Sequence, residues 1–357
     1  MRISEAKKCI MELYLATDCV TALISERGVG KTSAFQQCAK ELGIGYMGLY
    51  AAAMEGPDFM GLPDKDRETG ITRYLAPQFL PTCNAVDKGF FPEKGLLVLE
   101  EINRVPTDTI SVLYPLLLER KINGHSLAPG WKIGVTMNPD TLNYSVNSLD
   151  DAMLDRFVAI EITANLEDYI DYSLRNGPCD DVLAYLTACP DMLLRVKKAA
   201  DSTAATKSPT PRGWTRVQQL LNSCQLPEKL MQELISGTLG PETTASFYGY
   251  LKNRTYAIPS AAKILTDYGS VRPEVIRLVS GGRLDLMGLV LKKAVTLMDG
   301  SAAQCENLNQ FLTDLPEEFQ LMFFKVLAGE KPEIFLPVAE KTDAFNALAD
   351  QVVSLLL

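Results

Sequence analysis

The first 162 residues alternate between short apolar runs and longer stretches in which apolar positions recur every three or four residues. The short runs predict strands, at Val20–Ile24, Tyr46–Tyr50, Leu96–Leu99, Ile133–Met137 and Phe157–Ile162. The longer stretches predict helices, at Ile3–Ala16, Lys31–Leu42 and Asp108–Arg120. Strands separated by helices favour parallel βαβ units. We therefore predict an α/β core with a parallel sheet over residues 1–162.

The pattern changes after Ile162, where strand signals stop and helical periodicity continues. It predicts helices at Glu167–Arg175, Cys179–Ala200, Trp214–Ser223, Glu228–Ser236 and Glu242–Lys252. The stretch Asp201–Pro211 is rich in Ser, Thr, Ala and Pro and is predicted to be a loop. We divide this part of the chain into a helical lid, 163–255, and a C-terminal helical region, 256–357.

Composition narrows the class of protein. Of the 357 residues, 47% are hydrophobic and 22% are charged, as in ordinary globular proteins. The apolar runs are too short for a membrane span, and the N-terminus lacks the apolar stretch of a signal peptide, so we expect a cytoplasmic protein with reduced cysteines. A single histidine, His125, excludes a transition-metal site built from histidines.

The net charge bears on the partner. A net charge of −9 disfavours a nucleic-acid partner, because proteins that bind nucleic-acid phosphates display a basic surface. The basic residues are dispersed along the chain. The net charge alone does not exclude a basic pore in a ring. Protein partners are therefore the expectation.

A glycine-containing loop, Ser25-Glu-Arg-Gly-Val-Gly-Lys-Thr32, carries the strongest chemical signal. It follows a predicted strand and opens a predicted helix, the context in which backbone N–H groups cradle phosphates. Lys31 would neutralise the β- and γ-phosphates of ATP, and the Thr32 hydroxyl would bind Mg²⁺. Ser25 stands where the motif usually has its first glycine. The residues predicted to line the nucleotide are Arg27, Gly28, Val29, Gly30, Lys31, Thr32 and Ser33.

A second signal is the apolar strand Leu96–Leu99, which ends in Glu100 and Glu101. Ligands of open α/β sheets bind at the carboxyl ends of the strands. We expect Glu100 to hold Mg²⁺, where an Asp is usual, and Glu101 to orient the attacking water. Taken alone, the same residues would suit a strand that ends in a solvated acidic pair.

Three further polar residues stand at strand or helix ends: Asn138, Arg156 and Arg212. Asn138 ends an apolar strand and could contact the γ-phosphate or the water, although Asn-Pro also opens turns. For either arginine alone, a surface salt bridge would be the better explanation.

In this order the motifs resemble the AAA+ superfamily, and more closely its MoxR group. Glu100-Glu-Ile-Asn-Arg104 is similar to the signature of that group except at Glu100, and Asn123–Gly124 suits the type I′ turn of its inserted hairpin. Asp58–Pro63 and Thr72–Pro77 are similar to its insert in helix 2. Gly237–Leu251 resembles the lid of relatives that work beside von Willebrand A (VWA) domain proteins.

The resemblance implies roles for residues that spacing alone leaves open. Asn138 becomes sensor 1, Arg156 the arginine finger and Arg212 sensor 2. It also implies a homo-oligomeric ring of about six subunits that hydrolyses ATP with Mg²⁺ and remodels a protein client, for which a VWA-domain protein is a candidate. The apolar insert residues Phe59, Met60 and Leu62 are expected to engage that client, and the alternative is that they pack against their own subunit.

Two alternatives remain from the sequence. A nucleic-acid motor of the same branch would need basic pore hairpins, and this hairpin offers only Lys121 and His125. A nucleotide-gated scaffold with little turnover is suggested by the departures at Ser25 and Glu100.

Overall fold

The computed structural model describes residues 1–139, 149, 151–196, 207–254 and 256–356. These residues form two compact units, one comprising 1–168 with 194–212 and the other 169–193 with 213–357. The division of the chain into core, lid and C-terminal region stays a prediction.

The first unit is built on a parallel sheet. Its helices are α1 Ile3–Ala16, α2 Lys31–Glu41, α3 Gly56–Met60, α4 Cys83–Asp87, α5 Thr107–Glu119 and α6 Asp151–Leu154, and short 3-10 turns cover Ala51–Ala53 and Ile102–Arg104. Its strands are β1 Val20–Ile24, β2 Gly45–Tyr50, β3 Pro63–Lys65, β4 Thr72–Tyr74, β5 Gly95–Glu100, β6 Lys121–Ile122, β7 His125–Ser126, β8 Trp131–Met137 and β9 Phe157–Glu161. Among the described strands, five form one sheet in the order β2-β5-β8-β1-β9, all parallel.

Both faces of this sheet are covered, which is why its strands read as continuous apolar runs. On β5, Leu97 and Leu99 belong to one hydrophobic cluster together with residues of α5. Leu96 and Val98, which point the other way, belong to a second cluster with residues of α1 and α2. The sheet is therefore the middle layer of the unit, and its carboxyl edge is left for loops.

Two small antiparallel hairpins interrupt the unit, β3 with β4 and β6 with β7. The second turns at Asn123 and Gly124, whose φ angles of 45° and 82° are both positive, as a type I′ turn requires. The predicted hairpin turn is thus present.

The second unit is helical throughout its described part. Helices α7 Leu166–Arg175 and α9 Pro211–Ser223 cross the division between units, and the unit continues with α8 Asp180–Ala188, α10 Glu228–Leu239, α11 Pro241–Asn253, α12 Ala261–Thr266, α13 Tyr268–Ser280, α14 Leu284–Leu297, α15 Ala302–Thr313, α16 Glu317–Glu330, α17 Pro332–Ala339 and α18 Asp343–Leu356. Leucine, valine and phenylalanine side chains of α12 to α18 fill its core. The predicted fold class, an α/β core with a parallel sheet followed by helical regions, is confirmed.

One predicted helix is wrong in extent. The helix expected over Cys179–Ala200 ends at Ala188 and is followed by a 3-10 turn, Pro190–Met192. Pro190 has no N–H to donate and disfavours helical geometry at the residue before it. The end of that prediction, 197–200, and most of the predicted loop Asp201–Pro211 lie outside the described residues.

None of the helices in the described ranges has both the length and the apolar character that a bilayer crossing needs.

Candidate functional site

The glycine loop lies at the carboxyl end of β1 and leads directly into α2. Gly28 and Gly30 have φ angles of 73° and 120°, a region that favours glycine because it has no Cβ. A Cβ at Gly28 would lie 3.0 Å from Thr210 Oγ1, so the loop is also closely approached by the segment that leads to Arg212. The loop thus presents backbone N–H groups at a helix N-terminus, the arrangement that binds phosphate. Within it, the Val29 side chain is buried in the core, whereas Arg27 and Ser33 are exposed.

Lys31 is the buried cation of this loop. Its ammonium donates to Ser25 O at 2.7 Å and to Asn138 Oδ1 at 3.0 Å, and it lies 3.3 Å from Ser25 Oγ. Burial lowers its pKa to about 8; the Glu101 carboxylate opposes this shift and the Arg212 charge adds to it. A positive charge is therefore held at the base of the loop by neutral oxygens.

Thr32 and Glu100 face each other across the site. The Thr32 hydroxyl donates to Glu100 Oε2 at 2.8 Å. The other carboxylate oxygen, Oε1, lies 3.2 Å from the position that a Cβ at Gly48 of β2 would take, so a larger residue there would disturb it. A hydroxyl and a carboxylate are the oxygen ligands that Mg²⁺ prefers, and the donor set therefore fits this metal.

Glu101 directly follows β5 and has a left-handed conformation, with φ 54° and ψ 44°. Its N–H donates to Thr136 Oγ1 on the neighbouring β8 at 3.0 Å. Its Oε2 accepts from Tyr50 OH at 3.1 Å and from Arg104 Nη1 at 2.8 Å. Burial raises the pKa of this carboxyl, but the hydrogen bonds from Arg104 and Tyr50 and the nearby positive charges outweigh it, and the pKa lies below its usual value. Glu101 is therefore ionised at neutral pH.

Asn138 follows β8 and is fixed by a reciprocal pair of hydrogen bonds. Asn103 Nδ2 donates to Asn138 O at 2.7 Å, and Asn138 N donates to Asn103 Oδ1 at 3.3 Å. Both asparagines are buried. Because Asn138 Oδ1 also accepts from Lys31, this pair connects the ends of β5 and β8 to the glycine loop.

The two candidate arginines lie in different places. The Arg212 N–H donates to Gly28 O at 3.1 Å, which puts the start of α9 against the glycine loop. Arg156 directly precedes β9, where Phe157 pairs with Val20 at the amino end of β1. The glycine loop begins at the other end of β1, so five residues of strand separate the two, roughly 16 Å at 3.3 Å per residue. The structure thus brings Lys31, Thr32, Glu100, Glu101, Asn138 and Arg212 together, and it leaves Arg156 at the opposite edge of the sheet.

Three residues of this site escaped the sequence reasoning: Tyr50, Asn103 and Thr136. Tyr50 ends β2 and Thr136 lies near the end of β8, so each stands near a strand end that pairs with or neighbours β5. Ligands of open α/β sheets bind at the carboxyl ends of the strands, and this rule, which indicated Glu101, also indicates Tyr50 and Thr136 once the strand order is known. Asn103 lies in the Glu100-Glu-Ile-Asn-Arg104 segment, and its membership of that signature was the sequence signal that could have found it.

The inserted segments contact each other and bury part of their apolar surface. Asn123 Nδ2 donates to Met60 O at 2.7 Å, and His125 Nε2 lies 2.6 Å from Tyr74 O. Phe59 is fully buried and packs edge-to-face on Phe79 at 5.7 Å between ring centroids. The expectation that Phe59 faces a client is therefore wrong, because its ring belongs to the core of its own unit. Leu62, by contrast, is 72% exposed.

Comparisons with known proteins give distant structural similarity. No protein-family model matches the chain, and the search of curated proteins gave no significant match. Among solved structures, the chain is similar to a mutant of RuvB from Thermotoga maritima (TM-score 0.35, 12% identity, 79% of this chain and 75% of that chain). A putative ATPase from Cytophaga hutchinsonii gives a TM-score of 0.35 at 13% identity, with 95% and 89% coverage. NtrX from Brucella abortus gives 0.39 at 10% identity, with 90% and 67% coverage. Similarities at this distance carry no argument about the function of the chain.

Proposed function

We propose that this chain is a MoxR-like AAA+ ATPase that binds and hydrolyses Mg-ATP in an oligomeric ring and remodels or activates a partner protein. One observation carries the enzymatic part: Lys31, the Thr32–Glu100 pair, Glu101 and Asn138 converge around the glycine loop. Apart from Glu100, which stands where an Asp is usual, these residue types and positions suit triphosphate chemistry.

Each residue of the site has a separate role in this proposal. The glycine loop and the N-terminus of α2 bind the phosphates, and Lys31 neutralises their charge. Thr32 and Glu100 would hold Mg²⁺, which when bound neutralises charge that develops on the phosphates. Glu101, ionised because of its depressed pKa, accepts a hydrogen bond from the attacking water and orients it. Asn138, held by Asn103, offers its amide to the water or the γ-phosphate.

The test uses two variants of the full chain. Lys31→Ala should abolish or greatly weaken Mg-ATP binding, because the charge that balances the phosphates is lost. Glu101→Gln should keep binding but lower kcat by about 100-fold or more, because the water loses its carboxylate. Binding is measured by calorimetry and turnover by phosphate release. Hydrolysis at the wild-type rate by Glu101→Gln would show that the assigned role is wrong.

The client part of the proposal rests on the exposed side of the inserts. Leu62, Ile71 and Leu75 are 72%, 63% and 53% exposed, more apolar surface than a connection needs. Leu62→Ser should leave basal ATPase activity intact and lower its stimulation by a VWA-domain client. Phe90→Ser is the matched control, since Phe90 is 75% exposed and lies outside the inserts. If the client stimulated both variants and the wild type equally, Leu62 would not be part of the client contact.

A further inference from the structure

Ser25 gives Lys31 a partner that the usual motif does not have. Lys31 is only 9% exposed, and its ammonium has four oxygens within hydrogen-bonding distance. They are Ser25 O at 2.7 Å, Asn138 Oδ1 at 3.0 Å, Ser25 Oγ at 3.3 Å and Glu26 O at 3.4 Å. A glycine at position 25 would supply the carbonyl but not the hydroxyl.

The hydroxyl is oriented to accept from Lys31. Ser25 Oγ donates its own hydrogen to Glu26 O at 3.0 Å, so its lone pairs are left for the ammonium. Ser25 itself is buried, with 5% exposure, and water therefore competes little for these groups. The hydroxyl, the carbonyl of Glu26 and Lys31 form a small closed network at the base of the loop.

The number of N–H donors on Lys31 prevents the whole network from persisting when nucleotide is bound. An ammonium group has three N–H donors, and all of them are directed at protein oxygens here. When Lys31 reaches two phosphate oxygens, as the proposed function requires, one donor at most remains for the protein. The Ser25 carbonyl oxygen lies closest to the ammonium and can keep this last hydrogen bond. The Ser25 hydroxyl then accepts no hydrogen bond from Lys31.

We propose that the Ser25 hydroxyl holds Lys31 in the nucleotide-free site and thereby lowers the affinity of the site for nucleoside triphosphates. A contact made only in the empty state is lost on binding and subtracts from the binding free energy. Ser25 is thus a positioning residue that acts through Lys31 and sets the nucleotide concentration at which the site fills. This inference rests on the proposed function, because it concerns the same nucleotide site.

The experiment compares Ser25→Ala and Ser25→Gly with the wild type of the full chain. Both variants remove the hydroxyl and keep the carbonyl, and φ at Ser25 is not in the left-handed region, so alanine suits the backbone. We expect each to bind a nonhydrolysable Mg-ATP analogue about threefold more tightly, a modest gain because three acceptors remain for three donors. The KM for ATP should fall by a similar factor at unchanged kcat. Ser111→Ala, an exposed serine on α5, is the matched control and should change neither quantity.

The outcomes separate this inference from the proposed function. Failure of the wild type to bind the analogue at all would contradict the proposed function. Wild-type binding together with equal or weaker binding by both Ser25 variants would overturn the role of the hydroxyl. Simple structural damage weakens binding, so tighter binding by a variant whose unfolding midpoint matches the wild type supports the proposal. Should Ser25→Ala fold poorly, Ser25→Gly gives the same answer with the residue that the motif usually has.

Discussion

Glu100 is the residue whose length matters most in the site. Its carboxylate reaches the Thr32 hydroxyl directly at 2.8 Å, across the gap between β5 and α2. An aspartate, usual at this position in P-loop ATPases, is one methylene shorter and would leave more room between the two groups. Because Thr32 and Glu100 are the proposed metal ligands, this length bears on how Mg²⁺ is accommodated.

The role of Glu100 leads to a prediction with two variants. Glu100→Asp should preserve or raise turnover, because it restores the usual side-chain length. Glu100→Ala should slow hydrolysis and require more Mg²⁺ for half-maximal activity, because a charged ligand is lost. Steady-state ATPase activity over a Mg²⁺ titration measures both effects. Unchanged activity in Glu100→Ala would mean that this acid is only solvated.

The pKa of Lys31 gives a pH dependence. Burial lowers this pKa to about 8, so the ammonium loses its proton at a lower pH than an exposed lysine does. Only the charged form neutralises phosphate, and affinity for the Mg-ATP analogue should therefore fall as pH rises above about 8, by up to tenfold per pH unit. Glu101, with its depressed pKa, keeps its charge over this range. Calorimetry from pH 7.5 to 9.5 measures the slope, and a flat profile would contradict the assignment.

At the scale of elements, the packing of β5 on β8 depends on a missing side chain. Gly95 begins β5, and a Cβ there would lie 2.6 Å from Cη2 of the Trp131 ring. That ring is held in place by a hydrogen bond from its Nε1 to Pro92 O at 2.9 Å and by an edge-to-face contact with Phe91. The indole cannot easily move away from an added methyl group.

Gly95→Ala should therefore destabilise the first unit by about 1–3 kcal/mol through overpacking. Gly56→Ala is the matched control in the same unit, because its Cβ would meet Val112 at an ordinary 3.5 Å. Chemical denaturation followed by the fluorescence of Trp131 and Trp214 measures both variants. Equal midpoints for the two would show that the indole moves aside without cost.

Elements with a clear period were predictable, and those set by tertiary contacts were not. The strands of the sheet and the helices α1, α2 and α5 follow from their apolar patterns, since one period dominates each segment. The β3–β4 hairpin has three exposed residues in each strand, so no alternation signals it. The same distinction applies to the residues of the site. Lys31 and Thr32 belong to one continuous motif and were predictable, whereas Tyr50 contacts Glu101 only because β2 pairs with β5.

At the scale of the whole molecule, the position of Arg156 separates it from the glycine loop of its own chain. It precedes the edge strand β9, at the amino end of the sheet, while the loop lies at the carboxyl end of β1. Leu154 and Val158, on either side of it in sequence, are 45% and 36% exposed. An arginine among exposed apolar residues at a sheet edge suits an interface between subunits, and a charge supplied in trans stabilises the transition state only in an assembled ring.

This arrangement predicts complementation between two inactive variants. Arg156→Ala should bind Mg-ATP normally yet lose most hydrolysis, because its own glycine loop is intact and the charge from its neighbour is missing. Lys31→Ala has the reverse defect, so mixing the two in equal amounts should place intact loops beside intact arginines. If rings assemble at random with one arginine per site, about a quarter of the sites regain both parts. ATPase activity of the mixture, measured with the oligomeric state by light scattering, tests this. Each variant alone is the control for residual activity. A chain that stays monomeric at all concentrations with full activity, or a mixture no more active than its parts, would show that Arg156 does not act across an interface.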